Sequence, residues 1–436
     1  MQWLNKAMLK LHIGNISDKE KRMETKKLID CCEFISDGDH LPPPKSDSGV
    51  PFITISNITG QNKLSFEDTM FVPESYYNGL NENKKAQKGD ILYSVVGSFG
   101  KPVYVDFDKQ MVFQRHIAIL RPKRNVNARF IYYTMLNPQF YKLVDKLAIG
   151  CSQRTVTLDT LRNIEVNLPD KDIQDKMVGI LSLIDEKIAN NNAINDNLEQ
   201  QLMLLYDYWF TQFDFPDNDG NPYQTSGGKV VWNDTLRRNI PENWKVQSVI
   251  SNCLSSVIKP GVKIFNTKTY LATADVKGTS ISTGTIVDYD GRESRANMQP
   301  SINSVWFAKM KNSVKHLYLN KEMQPIISSS ILSTGFCGLQ CNEISFEYIA
   351  SYVSNAYFEI HKDMLAHGAT QEAVNNDDLA GVHIIIPEDT VLRAYHEATQ
   401  AIYAQISKNI CENQELFKLR DWLLPMLMNG QATISD

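Results

Sequence analysis

The sequence predicts an α+β chain made of two related mixed α/β globular units and a pair of long partnered helices. Three observations predict it. The two halves of the 436 residues repeat one another, each half alternates short strand-like and helix-like runs, and each half ends in a long amphipathic stripe. A chain of this length exceeds one compact core, since domains usually run to ~100–200 residues.

The repeat carries the most weight. GCSQRTVTLDTLRNIEVNLP (150–169) matches GATQEAVNNDDLAGVHIIIP (368–387) at an offset of 218, half the length of the chain. The same offset relates 52–60 to 270–278, and Asn191 and Asn195 to Asn409 and Asn413. Between these anchors the register slips, so that residues 91–93 answer 305–307, and Lys101 and Tyr104 answer Lys315 and Tyr318. Near the starts, Leu28-Ile29 and Cys32 stand opposite Val249-Ile250 and Cys253. Matches kept in order along two halves imply duplication of a complete unit.

Within each globular part, β-branched and aromatic runs such as PFITISNI, DILYSVV and HIAILRP alternate with Gly, Asn, Asp and Pro turns and read as strands. FIYYTML and NPQFYKLVDKLA read as the short helices that follow. After Pro169 the period changes: Met177, Ile180, Ile184, Ile188, Asn191, Asn195, Leu198, Leu202 and Leu205 step by four and three. Tyr395, Ala398, Ile402, Ile406, Asn409, Asn413, Leu416, Arg420 and Leu423 repeat the stripe. Such a stripe faces one partner helix, and polar residues in an apolar seam favour the register in which they meet. The alternative is that each stripe packs only on its own globular part. About 40 residues of helix extend ~60 Å, enough for a spacer. The divisions read from the sequence are an N-terminal segment 1–23, a first globular unit 24–170, a long helix 171–213 and an irregular connector 214–243. A second globular unit 244–388, a second long helix 389–430 and a tail 431–436 follow.

Several function classes are unsupported. No apolar run approaches the ~20 residues that span a bilayer, and the opening MQWLNKAMLK lacks the apolar core of an export signal, so a cytoplasmic location is expected. The seven cysteines form no CxxC pair and read as thiols of a reducing compartment. There is no GxxxxGK[ST] phosphate loop, no GxGxxG after a strand, no HExxH and no Asn/Asp-Pro-Pro-aromatic string of the kind a DNA amino-methyltransferase carries. Pro169-Asp170 followed by Asp185-Glu186-Lys187 superficially resembles the acidic pattern of a magnesium nuclease, but Asp185 to Lys187 fall in the long amphipathic stripe and not on a strand. Asp217, Asp219 and Asn221 resemble the start of a calcium loop, but the required Gly is misplaced and the downstream Glu is missing. No catalytic residue and no metal ligand is therefore expected. The net charge of −5 argues against indiscriminate coating of DNA, yet the run from Lys84 to Arg129 is locally basic. Taken alone, such a run is more often a solvated face.

Duplicated halves, a G-x-[ST]-Q segment leading through a Leu to a Pro-terminated strand, a GDILYS strand with a Gly-Ser turn, and Asn-bearing long helices together resemble the specificity subunit of type I restriction-modification systems. The resemblance covers essentially the whole chain. It implies two pseudo-twofold-related target-recognition domains separated by an antiparallel coiled coil, each reading one part of a bipartite sequence in double-stranded DNA. It also implies a prokaryotic, non-catalytic subunit that docks two methyltransferase subunits and restriction (motor) subunits. Those partners would use S-adenosylmethionine, ATP and Mg2+, with no cofactor in this chain. The candidate DNA contacts begin with Ser152, Gln153, Arg154 and Thr155 after Gly150, because Gln and Arg make bidentate contacts to adenine and guanine edges. Thr370, Gln371 and Glu372 occupy the matching place. Next come Ser98 and Lys101 on the glycine turn, Gln114 and Arg115, and Lys309, Lys311 and Lys315 in the second half. The second half departs from the pattern where Lys311-Asn312-Ser313-Val314, without glycine, stands against Gly97-Ser98-Phe99-Gly100. The rival readings are a duplicated scaffold that binds no DNA and a self-sufficient modification enzyme.

Overall fold

The computed structural model describes residues 11–13, 23–60, 62–151, 153–369 and 371–434. The chain divides into two compact units, Met1–Asp185 with Leu419–Asp436, and Glu186–Lys418. Both mix α-helix with β-sheet, as the sequence predicts.

The main sheet of the first unit has four antiparallel strands in the order Cys32–Asp37, Ile117–Pro122, Ile91–Ser94, Pro102–Tyr104. Its central strands read ILYS and IAILRP because both faces are covered; Ile91, Leu92, Ile117, Ile119 and Leu120 are fully buried. A smaller sheet pairs Val50–Ile53 in parallel with Val112–Phe113 and antiparallel with Met70–Val72. Two helices cover the main sheet. Asn127 caps Ala128–Leu136 by accepting from the backbone of Arg129 and Phe130, and Asn137 caps Pro138–Leu147 with proline at the first position. The strand Glu165–Pro169 pairs with Met23–Lys27, and Leu11–Ile13 pairs with Ala432–Ile434.

The second unit repeats the plan. Its main sheet runs Ser255–Val257, Phe336–Cys341, Ser304–Ala308, His316–Leu319, again antiparallel throughout. Thr267–Leu271 pairs in parallel with Ser330–Ser333, as Val50–Ile53 does with Val112–Phe113. Asn355, 218 residues after Asn137, caps the equivalent helix Ala356–Met364. His383–Ile386 closes on Lys245–Ser248.

The long helices run Lys171–Tyr206 and Asp389–Met428. In the second unit their facing stretches are antiparallel, with Asn191 bonded to Asn413 and Asn195 to Asn409. The seam is the partnered one, not two stripes packed separately. One position differs from the expected stripe: Ala398 is exposed and Thr399 is buried in its place. Tyr395 and Tyr403 each bond the Ser351 hydroxyl at 2.8 Å, which turns this face of the helix toward Phe346–Ser354.

The segment read as an irregular connector is ordered. Val230–Asn233 and Arg238–Pro241 form a hairpin. Phe215 stacks between Tyr223 and Trp244 with ring centroids 4.7 and 4.9 Å away. Aromatic burial holds together a stretch whose Pro, Gly and Asp content reads as loop.

Candidate nucleic-acid interface

In each unit the candidate residues gather where a central strand runs out of the main sheet. In the first, Ile91–Ser94 continues into Val95, Val96 and Gly97. Val95 N donates to His116 O at 2.9 Å, Val95 O accepts from Val156 N at 2.8 Å, and Gly97 N donates to Arg154 O at 3.0 Å. The strand end is therefore flanked by residues 114–116 on one side and the loop after Gly150 on the other. Ser98, Lys101, Gln114, Arg115, Gln153, Arg154 and Thr155 are brought together around it. Ser152 and Thr370 lie outside the described residues.

Two glycines fix this geometry. Gly100, at φ +89°, donates its N–H to Ser94 O at 3.0 Å and lies so close to Tyr141 that a Cβ would come within 2.5 Å of the ring. Gly150 sits at φ +100°, where a Cβ would stand 2.6 Å from Gln153 O. The Ser94 hydroxyl staples the turn, donating to Ser98 O at 3.1 Å and accepting from Lys101 N at 3.0 Å.

The side chains differ in readiness. Ser98, Arg115 and Gln153 are exposed; Lys101, Gln114, Arg154 and Thr155 are partly buried. Lys101 makes no ion pair among the described residues. Arg154 is already held: its guanidinium binds the Asp145 carboxylate and carbonyl and lies over Phe99, whose ring stacks on Tyr141. Arg115 donates to His116 Nε2 at 3.4 Å; partial burial, and then the Arg115 charge, hold this imidazole below its ordinary range. The basic run is partly consumed inside the fold, since Arg121 pairs with buried Asp90 at 2.8 Å, Lys84 with Asp39 at 3.4 Å and Lys85 with Glu82 at 2.8 Å.

The second unit reproduces the three backbone bonds that flank the strand end. Lys309 N donates to Gly335 O at 2.9 Å, Val374 N to Lys309 O at 3.0 Å, and Lys311 N to Glu372 O at 3.0 Å. Gly368 stands at φ +140°, with its missing Cβ 2.5 Å from Gln371 O. Gln371 is exposed and its amide reaches Met310 Sδ at 3.5 Å. The side chains, however, are exchanged. Glu372 stands in the place of Arg154 and pairs with Lys311 at 2.8 Å, and Lys315 Nζ donates to Thr273 O at 2.6 Å. Where the first unit has its glycine turn, Asn312 takes the left-handed conformation at φ +54°.

Sequence reasoning missed Asp145, Phe99 and Tyr141, which preset Arg154. It also missed Lys362, which lies fully buried beneath the second turn. Their one signal is the offset itself, which aligns Lys362 with Val144. Among the described residues no three His, Cys, Asp or Glu side chains form a metal-binding group, and no helix is long and apolar enough to cross a membrane.

Residues 20–200 match the model of the type I restriction modification DNA specificity domain. The chain is 23 % identical over 415 residues to the type I restriction enzyme HindI specificity subunit of Haemophilus influenzae, covering 80 % of this chain and 87 % of that one. It is 23 % identical over 329 residues to the type I restriction enzyme MjaIX specificity subunit of Methanocaldococcus jannaschii, covering 72 % and 71 %. In fold it resembles the crystal structure of a type I restriction-modification system S subunit from M. genitalium, with a TM-score of 0.51 and 13 % identity over 95 % of this chain and 98 % of that one.

Proposed function

We infer that this chain, a member of the type I restriction-modification specificity-subunit family, reads a two-part DNA sequence and directs the adenine methylation and restriction carried out by partner subunits. One observation carries the reading. Two loop constellations with the same backbone bonds present different side chains: Arg154 and Gly97 in one, Glu372 and Lys311 in the other. A constant frame with exchanged base-facing chemistry suits two readers of two different half-sequences, because base edges are told apart by side-chain donors and acceptors. A scaffold gains nothing from exchanging residues around an exposed strand end. The chain itself supplies no chemistry in this reading. Two methyltransferase subunits bring S-adenosylmethionine, and motor subunits bring ATP and Mg2+.

The test is a map of N6-methyladenine in cells that express the chain with its neighbouring methyltransferase, compared with cells that lack it. The expected result is a methylated sequence in two separated blocks that disappears with the chain. An unchanged map, with the complex assembled, would overturn the reading in favour of a scaffold.

A further inference from the structure

We propose that buried Lys362 is a positioning residue for the second recognition surface, replacing with its ammonium the glycine turn that shapes the first. The proposal deepens the two-reader function and rests on it.

In the first unit the turn after the central strand is closed by its own backbone, as Gly100 N donates to Ser94 O at 3.0 Å. That closure requires glycine, because of the positive φ and the Tyr141 ring. In the second unit the equivalent residue is Val314, and among the described residues no N–H of the turn donates to Ala308 O, the counterpart of Ser94 O. Lys362 takes over. Its Nζ donates to Ala308 O at 3.3 Å and to Met310 O at 3.4 Å, gripping two carbonyls on either side of Lys309. The same ammonium is 3.5 Å from Asp363, whose other oxygen accepts from Asn312 N at 3.1 Å. One cation thus fixes the turn from both ends.

The charge is compensated from below. Glu359 bonds Lys362 at 2.6 Å and His316 at 2.8 Å. Burial opposes the charge on Glu359, but the hydrogen bonds from His316 and Lys362 outweigh it and keep the carboxyl below its usual range. Stability alone does not call for this network. The position 218 residues earlier is Val144, equally buried, so the fold accepts an aliphatic side chain there. A buried ion pair is often no more stabilising than apolar packing. What the second unit has and the first lacks is a glycine-free turn with carbonyls to be held.

The experiment uses the full chain assembled with its methyltransferase partner, acting on a randomised duplex library whose methylated members are sequenced. Lys362→Met is the direct variant, and Lys362→Met/Glu359→Gln, which removes both charges of the buried Lys362–Glu359 pair, serves if the first folds poorly. The expected result is loss of about tenfold discrimination at the bases of one block only, with the other block read as before. Amide exchange over residues 309–314 rises about tenfold, with no change over 95–100. Adding Val314→Gly restores both. Equal loss in both blocks, or unchanged reading by a folded variant, overturns the proposal. A wild-type complex with no sequence preference would instead sink the two-reader function, and the exchange measurement would then decide the role of Lys362 in the turn.

Discussion

Asn191 Nδ2 donates to Asn413 Oδ1 at 2.9 Å across the seam of the two long helices, with both residues buried. Its mate is Asn409 Nδ2 donating to Asn195 Oδ1 at 2.8 Å. The offset of 218 turns Asn191 into Asn409 and Asn413 back into Asn195, so each pair is the image of the other. Only an antiparallel seam does this; parallel helices would bring Asn191 to Asn409. Removing Asn413 leaves the buried Asn191 amide one hydrogen bond short, with only Glu412 at 2.9 Å and Lys187 at 3.0 Å still bonded to it. Asn413→Leu should therefore lower stability by about 1–3 kcal/mol, while Asn191→Leu/Asn413→Leu should fall within ~1 kcal/mol of wild type. Denaturant unfolding of all four members of the cycle gives the coupling, and a value near zero would show that the pair does not set the register.

The seam was legible because a repeated Asn in an apolar stripe has few other uses. Its rotation near Ala398 was not, since it depends on Ser351, a serine that nothing in its own neighbourhood singles out. The ordered segment from Phe213 to Trp244 was misread for a related reason: turn-forming residues dominate its composition, while three separated aromatics supply its core. At the site, Gly150 and Gly368 were visible from the alignment of the halves. Lys362 was not, because a lysine in a short helix reads as surface until the structure shows which carbonyls it meets.

Gly150 and Gly368 should be the least replaceable residues of their loops. Both combine a positive φ with a backbone oxygen where a Cβ would go, at 2.6 and 2.5 Å. Alanine at either should cost about 1–3 kcal/mol. Gly89, at φ +96°, has open space around its missing Cβ, so Gly89→Ala should show the backbone strain alone and cost less. Equal costs at all three positions, read from unfolding midpoints, would mean that the close contacts with Gln153 and Gln371 relax freely.

Two carboxyls of the second unit give opposite pH signatures. Burial raises Glu199, despite the hydroxyl of Thr279 donating to it at 2.6 Å. The folded state then holds this proton longer than the unfolded state, so stability falls as pH rises from the unfolded value near 4.5 through the folded one. Glu199→Gln keeps the acceptor and should be more stable than wild type at neutral pH. Glu359 behaves in reverse: its contribution is present above its unfolded value and is lost as pH falls through its lowered folded value. Glu359→Gln should flatten the acid limb of the stability curve. Unfolding from pH 3 to 8 checks both, and a steeper acid limb in Glu359→Gln would refute the assignment.

Lys101 and Lys311 separate a cation offered to DNA from one already engaged. Lys101 has no carboxylate partner among the described residues, whereas Lys311 is 2.8 Å from Glu372. A phosphate contact releases a counterion, so Lys101→Ala should weaken binding to every duplex alike and lower the slope of log K against log salt by about 1. For Lys311 to bind phosphate it would have to leave Glu372, whose repulsion would offset the gain. Lys311→Ala should leave the slope within about 0.3 of wild type, and fluorescence anisotropy across a salt series on one duplex resolves the difference. An equal drop for both variants would mean that the Lys311–Glu372 pair opens on DNA, freeing Glu372 to accept from a cytosine or adenine amino group. The second unit would then read its bases through an acid that the free structure keeps masked.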